Sequence, residues 1–470
     1  MTDAGAVALA REELPAGWVR ATLSELCDVN PRGFDEEPDE DDFISQVPMA
    51  SVEAETGRMD PSVQVRFGDF KRKSLTRFQE DDVLFAKITP CMENGKIAKA
   101  QGLFGGRGLG STEFHVLRSR GGVLSEYLTH YLLQRNVRIV AEQHMSGAVG
   151  QRRVPRSYLE ALEIPVPPLP EQRRIVAELD RQLAHIEAGE AAVAAAVRGM
   201  AELRSSITDS AIDELDDALI RPLKETLREP LRNGVSAKAT NDGTGIRTLT
   251  LTAVTRGEFI NLYTKLTTAD PEKATKLWLE DGDIFVQRSN SADLVGTSAM
   301  YRGVSDWAIY PDLLIRVRVD HALALPEYVA LVLETNRVRF YFRQNARGLS
   351  GSMPKIDQST IENAALPLPS LEKQRAIVDW VQQQESVIAP LAESVDAAQA
   401  ESGNLRGSLL HAAFTGALVP QDPADEPASV LLDRIRAKRE AAAKPPRKRT
   451  VRAPRKARKP APPGQEELPQ

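Results

Sequence analysis

One passage in this chain is written twice. Ile164-Pro165-Val166-Pro167-Pro168-Leu169-Pro170-Glu171-Gln172-Arg173-Arg174-Ile175-Val176 is answered by Leu366-Pro367-Leu368-Pro369-Ser370-Leu371-Glu372-Lys373-Gln374-Arg375-Ala376-Ile377-Val378, with Gln172 and Gln374, and Ile175 and Ile377, each 202 residues apart. Proline disfavours helix in the residue before it but is tolerated in a helix's first turn. Each copy therefore reads as an extended strap that turns into a helix. The period is far longer than a solenoid repeat. It points to a domain duplication: two globular halves, each followed by a long helix.

The likeness reaches upstream of the strap. Glu126-Tyr127-Leu128 answers Glu327-Tyr328-Val329, both on a helical period, and the Ser146-Gly147…Gly150 turn answers Gly348…Ser350-Gly351-Ser352. Further back the halves diverge, although Asp81–Ala86 and Glu280–Val286 both place an acidic turn before a short apolar strand. A shared scaffold with a divergent interior suggests two modules doing one job on different targets.

At 470 residues there is room for two or three domains, and 42% apolar with 27% charged residues is ordinary for a soluble protein. Two cysteines, Cys27 and Cys91, are too few for a disulfide framework or a cysteine zinc cluster and fit a reducing cytoplasm. No window has the apolar length of a signal peptide core or a membrane span, so the sequence reads as neither secreted nor membrane-bound. The net charge of −6 is uneven: Lys444 to Lys459 holds nine basic residues and no acidic one, which leaves −15 on the remainder. That proline-rich tail, 441–470, reads as disordered; charge alone supports both a non-specific nucleic-acid contact and a solubilising terminus.

Short strand-like runs alternate with Gly, Pro and Asn turns at 63–67, 83–88, 96–100 and 113–117, and helical periodicity follows over 124–144. The second half repeats the plan with runs at 247–253, 284–287 and 313–319 and a helix over 327–344. From Glu171 the apolar residues Val176, Leu179, Leu183, Ile186, Val193, Val197, Met200 and Ile207 fall on an alternating three/four spacing, with Glu190 and Arg204 in the gaps. That is a coiled-coil seam, and roughly forty helical residues reach about 60 Å. The second helix carries Ile377, Val378, Val381, Ile388, Val395, Leu405 and Leu409, and Pro390 is expected to kink it. The expected architecture is α+β: two similar modules (14–168 and 219–369) joined by two long antiparallel coiled-coil helices (169–218 and 370–414), with a C-terminal segment at 415–440.

The chain resembles the specificity subunit of type I restriction–modification systems. The resemblance rests on the two Gln-Arg-x-Ile-Val straps and on Ala413-Phe414-Thr415-Gly416-Ala417-Leu418-Val419-Pro420-Gln421-Asp422-Pro423 after the second helix. In the first module it rests on Leu84-Phe85-Ala86-Lys87-Ile88-Thr89-Pro90-Cys91-Met92-Glu93-Asn94-Gly95-Lys96 and on Gly110–Leu117. It implies two target-recognition domains, each reading one half of an interrupted, asymmetric double-stranded DNA target, with the helices setting the spacing. It also implies a subunit that is not itself catalytic and holds no cofactor. Two modification subunits would bind S-adenosylmethionine and methylate adenine, and restriction subunits would use ATP and Mg to translocate and cleave.

Independent of that likeness, a ruler with two divergent ends suits reading two short sequences at fixed separation. The phosphate-loop, His-Glu-x-x-His and Gly-x-Ser-x-Gly signatures are missing, as is the Asn/Asp-Pro-Pro-aromatic segment that holds a flipped adenine. Base edges are read by Arg, Lys, Asn and Gln with Ser and Thr assisting, and phosphates are gripped by basic and hydroxyl groups. In the first module the candidates are Lys87, Thr89, Asn94 and Lys96 on a strand–turn–strand unit, the basic loop Lys71, Arg72, Lys73 with Arg77, and Gln151, Arg152, Arg153 after the glycine turn. In the second they are Gln287, Arg288, Ser289, Asn290, then Ser350, Ser352 and Lys355, with Arg337, Arg339, Arg343 and Arg347 able to line a backbone. Each alone also reads as a solvated charge or a turn former; the two groups at matching places carry more weight. His115 reads as structural, Cys91 as a buried or turn thiol, and Glu93 as either an acceptor for a cytosine amino group or a turn stabiliser. The alternatives are a coiled-coil adaptor without DNA reading, a methylation-only specificity subunit, and an enzyme with degenerate motifs.

Overall fold

The computed structural model describes residues 13–148, 150–215, 218–240, 243–255, 257, 259–348 and 353–442. Contacts divide the chain into two units, Met1–Ile186 with Asn404–Gln470 and Glu187–Gly403.

Each unit is organised around one short apolar strand. In the first, Val83–Ala86 is flanked by Phe114–Ser119 and Ile97–Lys99, with Cys27–Val29 completing an antiparallel sheet. Side chains alternate across a strand, so Val83 and Phe85 enter a core with Tyr127, Leu128 and Ile164, while Leu84 and Ala86 enter another with Val47, Phe78 and Val116. The run is apolar throughout because both of its faces are covered. In the second unit Ile284–Gln287 lies between Leu314–Val317 and Ser298–Met300, with Arg232–Asn233 at the edge. Ile284 and Val286 join Tyr328 and Ile361, and Phe285 joins Leu249 and Tyr310. The units differ beyond that sheet. The first adds a four-stranded sheet built on Phe43–Val47 and Arg107–Gly110, which run parallel; among the described residues the second has the two-stranded hairpin Ile246–Leu249 with Thr264–Thr267 in its place.

The helical periodicity over 124–144 resolves into two helices, Ser125–Leu133 and Arg135–Gln143, and that over 327–344 into Pro326–Glu334 and Asn336–Asn345. The breaks fall at Gln134 (φ −55, ψ 133) and Thr335 (φ −55, ψ 146), which are extended without a glycine or proline to announce it. Thr335 caps the helix it starts by accepting from the Val338 amide.

The straps are strands before they are helices. Glu163–Val166 pairs antiparallel with Val19–Thr22, and Ala365–Leu368 with Leu219–Pro222. Their glutamines lock them in place. Gln172 accepts from the Leu124 amide at 2.8 Å and donates to the Gly122 and Pro167 carbonyls; Gln374 accepts from Leu325 at 2.9 Å and donates to Leu323 and Pro369. Both side chains are fully buried. The Tyr127 and Tyr328 hydroxyls donate to Pro165 and Pro367.

The long helices run Leu169–Asp213 and Leu371–Thr415, 45 residues each. In unit one Ile175 and Leu179 share a core with Leu410, Ala413 and Phe414. In unit two Arg204 pairs with Glu385 at 2.9 Å, and Ser402 donates to Glu190 at 3.0 Å. Rising numbers meet falling ones, so the pair is antiparallel. The two polar gaps in the sequence seam are thus cross-helix contacts. Burial along the seam is uneven: Val197 stays 43% exposed. Pro390 does not interrupt the second helix; Ser394 donates to its carbonyl.

The C-terminal segment completes the first module. Phe414 meets Tyr127 and Tyr131 edge-on at 5.1 Å, Asp425 pairs with Arg174 at 2.7 Å, and Leu432 of the helix Ala428–Ala442 is buried. Gly416 turns with φ +80 where a Cβ would stand 2.3 Å from Pro15, so glycine is required twice over. The tail residues 444–459 lie outside the described residues.

Candidate nucleic-acid interface

At the end of the central strand of module one, the chain lies beside the segment that follows the glycine turn. Thr89 donates its amide to Arg152 at 3.0 Å, and Val154 to Lys87 at 2.9 Å. Arg153 exchanges both backbone bonds with Ser146, and the Lys87 amide donates to Glu113. The turn is tight: Gly147 has φ +124, and a Cβ there would lie 2.9 Å from the Gln151 carbonyl. Lys87, Thr89, Arg152 and Arg153 are thereby brought together.

Module two repeats the frame, apart from the Thr89–Arg152 bond. Ile356 donates to Arg288 at 2.9 Å, Arg347 and Lys355 exchange both backbone bonds at 2.8 and 2.9 Å, and Arg288 donates to Leu313 at 2.8 Å. Ser289 sits across from Lys355 as Ile88 sits across from Arg153. Arg288 occupies the place of Lys87, Arg347 that of Ser146 and Lys355 that of Arg153. Ser350 and Ser352 lie outside the described residues.

A second correspondence holds the platform. Asp82 caps its turn by accepting from the Gln79 amide and takes both Nε and Nη2 of Arg118 at 2.9 Å; Asp283 accepts from Glu280 and pairs with Arg318. Burial pushes both carboxyls up, against hydrogen bonds that pull them down. Module two is more heavily charged here, since Glu229 bonds Arg316 and Glu280 bonds Arg318.

The candidate side chains divide by what already holds them. Lys96 donates to the Met49 and Val52 carbonyls, tying a loop to the strand, and Lys87 donates to the Thr112 carbonyl. Thr89 donates to Glu93 at 2.5 Å; Asn94 is exposed. Lys71 pairs with Glu40 and Arg77 with Glu37, and the Lys73 ammonium lies 3.9 Å over the Phe70 ring, so this basic loop is tied to the acidic loop at 35–42; Arg72 is exposed. Gln151 is exposed, Arg152 pairs with Glu142 at 3.0 Å, and Arg153 grips Glu113 with two bonds, which hold that carboxyl below its usual range. In module two Gln287 and Ser289 are buried, and Gln287 accepts from Asn290 at 2.7 Å, shaping the turn. Arg288 is half-buried; Arg337, Arg343, Arg347 and Lys355 are exposed. Arg339 is turned inward onto the Asp293 carbonyl, and burial, with Arg343 nearby, pulls its guanidinium down to about 10.

Sequence reading missed Glu113 and Glu142, the carboxylates that neutralise Arg153 and Arg152. Nothing local marks Glu113, which is 40 positions from its partner. His115 is structural: Nε2 donates to the Val154 carbonyl and Nδ1 accepts from Asn30, and burial pushes its pKa down. Cys27 and Cys91 are free thiols. Among the described residues no group of three His, Cys, Asp or Glu could hold a metal ion, and no helix is long and apolar enough to cross a membrane.

A family model described as the type I restriction modification DNA specificity domain matches residues 15–193. The matched stretch spans the first module and the start of the first long helix. Curated relatives agree: the EcoEI specificity subunit of Escherichia coli is 41% identical over 166 residues, 35% of this chain and 27% of that protein. The EcoAI specificity subunit of Escherichia coli is 39% identical over 35% of this chain and 28% of its own length. The chain thus matches little more than a quarter of the length of those two relatives. The EcoKI specificity subunit of Escherichia coli strain K12 is 27% identical, across 69% of this chain and 74% of that one. A chain solved in work on complex assembly and conformational transition of the type I R-M system covers 86% of this chain and 99% of itself at TM-score 0.61 and 21% identity, which shows a shared fold. The matched region therefore spans the module whose strand edge gathers Lys87, Thr89, Arg152 and Arg153, and module two rebuilds that edge in the corresponding backbone bonds apart from the Thr89–Arg152 one.

Proposed function

We propose that this chain is the non-catalytic DNA-specificity subunit of a cytoplasmic type I restriction–modification complex. Each module reads one half of an interrupted, asymmetric double-stranded target, and the antiparallel helices set the separation of the halves. The carrying observation is the duplicated strand edge. The same backbone frame presents Lys87, Thr89, Asn94 and Gln151–Arg153 in one module, and Arg288, Asn290 and Lys355 in the other, with different side chains at equivalent places. Identical frames with different polar tips suit two readers of different sequences. Lys71–Lys73 would meet phosphates at the margin; Lys96, Gln287 and Ser289 would shape the edge rather than touch bases.

Methyl transfer and cleavage then fall to partners: two modification subunits with S-adenosylmethionine, and restriction subunits with ATP and Mg. Val387 and Leu391, exposed on the second long helix, offer apolar contact for docking.

The test is the methylation map of the host genome with the gene intact and deleted. Loss of one two-part methyladenine motif is the expected result. An unchanged map, with the partner methyltransferase expressed, would overturn the reading and leave an adaptor.

A further inference from the structure

The two edges share a backbone but not a charge. In module one Lys87, Arg152 and Arg153 are matched by Glu93, Glu113 and Glu142, and both arginines are ion-paired within the module. A backbone bond and the common sequence offset give what replaces each acid. Glu113 becomes Leu313, whose carbonyl accepts from Arg288 as Glu113 accepts from Lys87. Glu93 and Glu142, 201 residues before their counterparts, become Leu294 and Arg343. Ser146 becomes Arg347, and Arg153 remains basic as Lys355.

Module two thus presents Arg288, Arg343, Arg347 and Lys355 with no side-chain ion pair among the described residues, where module one is neutral. One acid, Asp357, is committed to capping a helix through the Thr360 amide and lies within Coulomb reach of Arg347. Counting it, the edge carries three net positive charges against none. Arg343, Arg347 and Lys355 are exposed and, among the described residues, engaged by no carboxylate.

Resting on the recognition reading above, we propose that the modules hold DNA unequally. Module two supplies most of the phosphate grip through Arg288, Arg343, Arg347 and Lys355, and module one contributes mainly orientation and base contact. The physical basis is counterion release: a cation already paired with a carboxylate displaces few ions from DNA, whereas an unpaired one displaces about one per phosphate neutralised. Arg153 must break two bonds to Glu113 before it can grip a phosphate. Lys355 breaks none.

The test is the salt dependence of binding by the full chain to two duplexes of equal length, one carrying the mapped motif and one scrambled. R343Q/R347Q/K355Q is expected to lower the slope of log affinity against log salt by about 2 to 3 on both duplexes, at roughly 0.9 per phosphate contact. K87Q/R152Q/R153Q is expected to lower it by less than about 1. The basic tail contributes equally to every variant, so the differences are unaffected by it. E113L/E142R, which gives module one the residues of module two, is expected to raise the slope. Equal losses from the two triple variants, or a larger loss from module one, would overturn the proposal. If instead the parent chain fails to prefer the motif, the recognition reading fails, while the difference in slopes still judges the asymmetry.

Discussion

The two modules agree where the fold must be held and differ where a target would be met. Gln172 and Gln374 make the same three hydrogen bonds, and Tyr127 and Tyr328 the same one. Asp82 and Asp283 each cap a turn and hold a half-buried arginine. By contrast, a four-stranded sheet with one parallel pair in the first module has a two-stranded hairpin as its counterpart in the second, and Glu113 is replaced by Leu313. A side chain whose partners are backbone atoms is constrained by the frame. One at the strand edge is constrained only by what it meets.

The largest expected effect falls on the common frame. Asp283→Ala removes a turn cap and the Arg318 bonds, leaving Arg318 and the buried Arg316 to Glu229 and Glu280, and Asp82→Ala removes the matching cap and leaves Arg118 to Asp35; each is expected to cost about 3–4 kcal/mol from the lost cap and charge-assisted bonds together, read by calorimetry of the full chain. A loss in one module only would mean that the pairs are not equivalent. Gln172→Leu and Gln374→Leu come next. Each orphans one amide and two carbonyls, and an equal loss of about 2–3 kcal/mol is expected from the two variants. Unequal losses would break the symmetry at the straps.

Electrostatic differences at the edge are smaller in stability and larger in binding. Leu313→Glu, which restores the acid of module one beside Arg288 and Lys355, is expected to weaken DNA binding about 3- to 10-fold at low salt, with the difference shrinking as salt rises. No change would sink the assignment of that edge to DNA. The smallest effect separates the modules by pH. His115 is buried, its pKa is pushed down, and its place in module two is taken by Ile315. The unfolded state therefore binds the extra proton first, so stability is full above the unfolded pKa near 6.5 and falls as pH drops below it. His115→Asn is expected to flatten that loss, measured as melting temperature between pH 7 and 5.5. An unaltered pH dependence would place its origin elsewhere.

Much of this was legible in the sequence. The duplicated strap, the long helices with their seam, and the central strands at 83–88 and 284–287 follow from proline chemistry and periodicity. Glu190 and Arg204 already stood out as gaps in the seam. The breaks at Gln134 and Thr335 were not legible, because neither residue is a breaker and the apolar period runs on through them. Nor was the role of Gln172, whose partners lie at Gly122 and Leu124. The charge of the edge escaped for the same reason: Arg153 reads as an available cation until the fold brings Glu113 against it.

The most direct test of two readers on one frame is to replace residues 219–369 with the corresponding module of a relative of different specificity and map methylation in the host. The account predicts a new two-part motif in which one half and its spacing are retained and the other half is exchanged. A map in which both halves change, or neither does, would contradict it.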